Sequence, residues 1–327
     1  MISRVAENCF WLARYVERAD NIARLLRVNR AFVLDVKLPP AQRWHPVIVV
    51  SGEQERFPTL YPEEAVNDGN AVQEYLTWDD RNPVSIRSSV DWARENARTI
   101  RETISLEMWE AINDLWHWMR DGSGRSEYAS DRDGFYSELL FRTAALHGVT
   151  RDTMLHEEPT EFIRLGTLLE RANGTARLVD VKHHMLETAS AGLPDSVRLI
   201  VEAAHCGALL RSCSANEPYL KRVRRTPRHR RVVRFLVKEP ALPRSVAYSL
   251  GRAAGCLERI RQRGSDDIGK RSATCLRQLR ARLDNASFED DFVPVHEELT
   301  HIVNSVAELC QVIHDDYFDP RLANGAA

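Results

Sequence analysis

The chain is poor in helix breakers. Its 327 residues include 15 glycines and 14 prolines, too few for a collagenous or low-complexity polymer and low for an all-β protein. Long apolar runs are missing too. No stretch approaches the roughly 18 consecutive apolar residues that a membrane-crossing helix needs, and the opening segment takes up charge at Arg4, so neither a signal peptide nor an anchor is expected. The six cysteines (Cys9, Cys206, Cys213, Cys256, Cys275, Cys310) form no CxxC pair and fall mostly inside apolar helical patterns. Reduced packing residues are distributed in this way, and a cytoplasmic location is the expectation. There is no GxGxxG or GxxxxGK(S/T) phosphate loop, so ATP chemistry by those devices is excluded and no cofactor is expected. A nucleophile elbow and a Cys–His family signature are absent as well.

What the sequence does have is helical periodicity. With 43% apolar and 28% charged residues it is an ordinary globular composition, long enough for a large core without disulfide or metal staples. Over residues 3 to 36, Val5, Cys9, Leu12, Val16, Ala19, Ala23 and Leu26 step by alternate fours and threes, the seam of one long helix. Residues 38 to 70 interrupt it with five prolines and a β-like run, Val47 to Val50, which reads as an irregular insertion. Asn82-Pro83 and Ser85 start a helix predicted to continue for about nine turns to Arg120. DGSGRSEYASDRDG reads as a polar loop. Further helices are predicted over 135–147, 160–189, 195–213, 216–236, 243–263, 267–284 and 291–317, with a short disordered tail at about 319–327. The fold expected is an all-α, multi-helix bundle with several long helices, forming a single domain.

One helix occurs twice. Shifting the sequence by 153 residues lays ERADNIARL (17–25) on ERANGTARL (170–178), with six identities in nine. The composition is that of any good helix, but the wheel position is informative. At about 100° per residue Glu17 lies some 120° from the apolar seam, in line with Phe10, Asn21 and Val28, on a flank that is not a clean solvent face. Glu170 has Gly166 and Gly174 one turn to either side, each costing about 1 kcal/mol relative to Ala in a helix. That cost points to close approach by a neighbour. An enclosed carboxylate needs a partner, and Arg171, Arg177, Arg18, Arg24 and Arg14 can supply guanidinium contacts. Two readings fit: a buried Glu–Arg network that fixes helix register, or a ligand-binding or catalytic pocket.

The middle of the chain carries a third cluster, ARENAR (93–98), followed by Arg101, Glu102, Glu107, Glu110 and Asn113. Asp91, Glu95, Arg98 and Glu102 form a line of mixed sign opposite the Ala93/Ala97 seam, either an exposed salt-bridged ridge or a face that meets Glu17 and Glu170. Taken in order, SRVAENCFWLARYVERADNIARLL, NPVSI, ARENAR with EMWEAIN, DTM, FIRLGTLLERA and PRSV resemble the bacterial alpha-E family over nearly the whole chain. The resemblance implies an all-helical domain with Glu-Arg motifs. It also implies a circularly permuted ATP-grasp protein as partner, often with a transglutaminase-like peptidase nearby, and hence amide or peptide ligation on a peptide or amino-acid acceptor. Carried over residue by residue, it assigns binding to Glu17, Arg18, Arg94, Glu95, Asn96, Arg98, Glu107, Glu110, Asn113, Asp152, Glu170, Arg171, Arg244 and Ser245. Asn21, Arg24 and Arg177 join them from the repeat itself.

Other constellations compete. Glu202–His205 and Glu298–His301 have the ExxH spacing of dimetal bundles, with Asp114–His117 and Asp180–His183 as aspartate versions. Residues 221 to 234 hold eight of the 45 basic residues and no acid, so they could grip phosphates of RNA or tRNA, although aromatic interleaving is lacking. An enclosed Glu could also act as general base in a stand-alone enzyme. The function expected first is that of an accessory or acceptor-binding subunit of an ATP-grasp ligase.

Overall fold

The structure, a computed structural model, describes residues 3–36, 38–190, 194–263, 268–288 and 294–319. Among these residues there are fifteen α-helices and no strand: α1 Ser3–Asp35, α2 His45–Ser51, α3 Phe57–Leu60, α4 Gly69–Thr77, α5 Ile86–Thr99, α6 Leu106–Arg120, α7 Ser123–Ser130, α8 Arg132–Thr153, α9 Glu158–Ser190, α10 Asp195–Ser212, α11 Asn216–Val223, α12 His229–Lys238, α13 Val246–Arg263, α14 Lys270–Asn285 and α15 Val295–Ile313. The all-α bundle expected from periodicity is the fold. Of the expected tail, all beyond Asp319 lies outside the described residues.

The repeat seen in one helix extends to the packing. In the first half α1 packs on α5 and α8, which α6 joins; in the second, α9 packs on α13 and α15, which α14 joins. The two halves meet along α1 and α9, and one continuous hydrophobic core runs through both. Small residues allow that meeting. Ala13, Ala19, Ala23, Ala172 and Ala176 are buried along the crossing, and a Cβ at Gly166 would strike the backbone carbonyl of Phe10. Gly166 therefore has its use in helix–helix approach, and its cost in helix propensity is offset by packing on α1. The helix starts repeat as well. Ser85 Oγ accepts the Ser88 N–H at 3.1 Å at the head of α5, and Ser245 Oγ accepts the Tyr248 N–H at 3.0 Å at the head of α13.

Four expectations change. The helix predicted to run from Ser85 to Arg120 is two, because the chain turns after Ile100 and restarts where Ser105 Oγ accepts the Met108 N–H. The resulting hairpin is tied by Trp116 Nε1 donating to Asp91 at 2.6 Å and Arg94 Nε donating to Asn113 at 2.8 Å. The polar loop before residue 135 contains α7, anchored by the buried Tyr128 against Trp78 and Phe135. The helix predicted over 216–236 breaks into α11 and α12 around Pro227, which has no N–H to continue a ladder. Residues 38 to 70 are not irregular: two 3-10 turns (Pro40–Gln42 and Glu63–Asn67) and helices α2, α3 and the head of α4 occupy most of them. The β-like run Val47 to Val50 lies in α2, where Val47 and Ile48 are buried beside α1 and α9. Tertiary burial overrides β propensity there.

Candidate functional site

The Glu-Arg motifs face each other across the α1–α9 crossing, and each arginine takes the other copy's glutamate. Arg171 Nε and Nη2 donate to Glu17 Oε1 and Oε2 at 2.8 and 2.7 Å. Arg18 Nε donates to Glu170 Oε1 at 2.7 Å and its Nη2 to Oε2 at 3.3 Å. Arg14 completes the Glu170 side, its Nε 2.8 Å and its Nη2 2.7 Å from Oε2. On the other side Arg244, from the turn between α12 and α13, reaches Glu17 Oε1 at 3.1 Å, Asn21 Oδ1 at 2.9 Å and Asp20 Oδ2 at 2.5 Å. Asp20 also accepts from Arg24 Nη2 at 3.0 Å and from the Thr143 hydroxyl at 3.0 Å. His147 Nε2 lies 3.4 Å from Glu17 Oε2.

Glu17 is wholly buried and Glu170 nearly so. Burial by itself would raise both carboxyl groups; the coulombic pull of Arg244 and Arg171 outweighs it and holds Glu17 well below the usual carboxylate range. For Glu170 burial is likewise outweighed, by Arg18 and Arg14, which hold it at about 2. Asp20 is held low by Arg244 and Arg24 against its burial. Carboxylates so firmly ionised are poor proton acceptors near neutral pH, so neither motif glutamate fits the general-base reading. They act as the fixed anionic centres of a register-setting network, which removing one partner would leave uncompensated.

A cleft of about 390 Å³ opens beside this network, lined among others by Arg14, Arg18, Glu170, Gly174, Arg177 and Arg244, with Gly52 and Glu53 on the facing wall. The repeat makes Arg177 the counterpart of Arg24. Arg24 pairs with Asp20, four residues before it; the same place before Arg177 is Asn173, an amide. Arg177 accordingly makes no hydrogen bond or ion pair among the described residues, and its Nε is buried without a partner. Its guanidinium lies against Gly52, at the C-terminal end of α2, where a Cβ would collide with Nη1. Gly52 also has φ 78°, a backbone that side chains rarely adopt. The helix end favours a cation there, so Arg177 is positioned but not neutralised.

Eight of the expected site residues meet at this crossing: Glu17, Arg18, Asn21, Arg24, Glu170, Arg171, Arg177 and Arg244. Ser245 is the cap that sets Arg244, its hydroxyl also donating to Glu239 O at 2.6 Å. The rest lie elsewhere. Arg94 stacks over Trp116 at 4.0 Å and binds Asn113, tying α5 to α6. Glu95 and Arg98 form an exposed pair at 2.6 Å, and Asn96 binds its own helix at Trp92 O. Glu107, Glu110 and Asp152 are exposed, Asp152 pairing with Arg151. The line of mixed charge does not meet the two glutamates: Glu95, Arg98 and Glu102 face solvent, while Asp91 is bound to Trp116 of α6. Asp20, Thr143, His147, Gly52, Glu53 and Asn173 were outside the expectation. The sequence signal for Asp20 is the difference between the repeats, an aspartate at 20 against an asparagine at 173.

The competing constellations do not converge. Glu202 receives the His229 N–H at 2.7 Å and Arg228 at 3.0 Å, Glu298 pairs with Arg282, Asp180 with His296 and His117 with Asp121. Among the described residues no group of three or more His, Cys, Asp or Glu is placed to hold a metal. The basic run crosses the turn at Arg224 between α11 and α12. Its neighbouring rings Tyr219 and Phe235 are buried, leaving no aromatic face there for bases to stack on. No helix among the described residues is long and apolar enough to cross a membrane.

Comparison with known proteins agrees with the motifs. An uncharacterised protein of Mycobacterium bovis and uncharacterised proteins of two Mycobacterium tuberculosis strains are each 25% identical to the chain over 280 residues, covering 76% of it and 29% of the relative. The chain therefore spans about three tenths of the length of those relatives. No solved structure matches it. Over residues 1–318 it matches Alpha-E, described as a predicted alpha-helical domain with a conserved ER motif, and with Glu17-Arg18 and Glu170-Arg171 clasping each other across the crossing, the chain belongs to the Alpha-E family.

Proposed function

We propose that this protein is the acceptor-binding subunit of an amide-forming system, working with a circularly permuted ATP-grasp ligase, and that the cleft beside the Glu–Arg network receives the acceptor's carboxylate on Arg177. One observation carries the reading: Arg177 stands in the cleft without a counter-ion, among arginines that all have one. Arginine is suited to planar, bidentate recognition of carboxylate. In the division of labour proposed, the ligase phosphorylates a donor carboxylate from ATP, releasing ADP. The acceptor amine then attacks the acyl carbon, the carbon–oxygen bond to phosphate breaks, and phosphate and a proton leave. This chain holds the acceptor, and a transglutaminase-like peptidase is a further expected partner. The relatives' greater length is compatible with an Alpha-E segment joined to other activities in one chain.

The test is a pull-down with the ATP-grasp protein followed by ADP release in the presence of amino acids and short peptides. ADP release that requires this chain, and whose KM for acceptor rises in Arg177→Met while the complex stays intact, is the expected result. Complex formation and turnover indifferent to Arg177→Met would overturn the role of the cleft.

A further inference from the structure

Within the acceptor-binding reading just proposed, on which this inference rests, the cleft contains a second charge with one oxygen left open, the carboxylate of Glu53. Glu53 follows Gly52 and lines the same wall, 5% exposed. Its Oε2 is engaged by the Tyr75 hydroxyl at 2.6 Å and lies 3.5 Å from Arg56 Nε. Its Oε1 accepts no hydrogen bond among the described residues. Arg177, whose guanidinium lies against the adjacent Gly52, forms no ion pair with it among those residues. The remaining charges lining the cleft are engaged with one another: Arg14 and Arg18 on Glu170, Arg244 on Glu17 and Asp20.

We infer that the cleft is a zwitterion site, which takes a free α-amino acid with its carboxylate on Arg177 and its ammonium group on Glu53. The Arg177 guanidinium lies against Gly52 and Glu53 is the next residue on the same cleft wall, so a cation and an anion border one cleft, as a ligand carrying both charges on one small carbon frame requires. A capped peptide offers only one of the two. Only Oε2 of Glu53 is engaged among the described residues, so Oε1 is left to accept from a donor entering the cleft, and an ammonium group supplies that donor. The cleft volume of about 390 Å³ lies in the range of small-molecule sites and is small for a folded partner. Glu53 is outside the Glu–Arg network, so its substitution leaves the clasp of the two halves in place.

The test uses the full chain alone, by calorimetric titration with the proteinogenic L-amino acids, and then with the N-acetyl and C-terminal amide forms of those that bind. The inference expects saturable binding of a free amino acid, weakened about tenfold or more by either cap. In Glu53→Gln the free and N-acetyl forms should bind equally weakly, whereas Arg177→Met should lose both. Should the N-acetyl form bind wild-type protein as tightly as the free amino acid, or Glu53→Gln keep the preference for the free amine, the zwitterion site is wrong although a carboxylate site at Arg177 survives. Absence of binding by every free and capped compound would remove the carboxylate site along with it. The capped-ligand arm needs no variant, so a folding defect in Glu53→Gln leaves the decision intact.

Discussion

Asp20 on α1 and Asn173 on α9 hold equivalent places in the two halves, each three residues beyond a motif glutamate, yet their surroundings have opposite characters. Around Asp20 every charge is matched: Arg24 and Arg244 both bind it, and the Thr143 hydroxyl closes the remaining side. Around Asn173 the carboxylate is gone and Arg177 faces a cleft. A duplicated helix has thus kept one copy as a closed ionic joint while the other retains an unneutralised cation. Identity between repeats marks what holds the halves together; the departure from identity marks where something else can bind.

The closed joint should dominate stability. Glu17→Gln leaves Arg171 and Arg244 without their shared carboxylate in a wholly buried place, and a loss of about 3–5 kcal/mol is expected in urea unfolding. A change below about 1 kcal/mol would mean that the network is far better solvated than its burial implies.

Acid should dissolve the same joint in a defined window. The folded value of Glu170, about 2, lies below the roughly 4.3 of an unfolded glutamate. Its contribution is therefore present above pH 4.5 and lost as pH falls from there toward 2, about 3 kcal/mol in all. Buried imidazoles add an earlier loss. Burial, with Lys182 beside it, pushes His205 down to about 4, so the unfolded chain takes up that proton first and stability falls from about pH 6.5 toward 4. Urea melts across this range should show both steps, with Glu170→Gln reducing only the lower one, to which Glu17 and Asp20 still contribute.

The two counterpart arginines should separate next. Arg24→Met removes one of Asp20's two cations and is expected to cost about 1–3 kcal/mol, while Arg177→Met should stay within about 0.5 kcal/mol. Equal losses would erase the contrast between the halves.

Much of this was legible before any coordinates. The four-three seams of α1 and α9 matched their length closely, because both helices are apolar on several sides and carry no proline beyond Pro159 in the first turn of α9. The mutual clasp was half legible: the enclosed glutamates and their arginines could be named from the wheel and the flanking glycines, but not which arginine would cross to which copy. The break after Ile100 lacked a Gly or Pro, and only the capping role of Ser105 betrays it. At Pro227 the signal was present in the sequence, as proline has no N–H to continue the ladder between α11 and α12. Residues Val47 to Val50 misled because β-branched side chains follow burial rather than intrinsic preference once α1 and α9 offer a surface. The place of Gly52 against Arg177 was invisible as well, since that contact exists only when α2 is docked.

The central claim is that the amide at position 173 keeps Arg177 available to a ligand's carboxylate. Thermal unfolding of the wild type and of Asn173→Asp, each titrated with N-acetylglycine as a bare carboxylate probe, tests it most directly. The wild type should show a saturable rise in Tm. The variant should start slightly higher, by about 0.5 kcal/mol of added ion pairing, and should not respond to the probe. An equal rise in both proteins, or none in the wild type, would contradict the account.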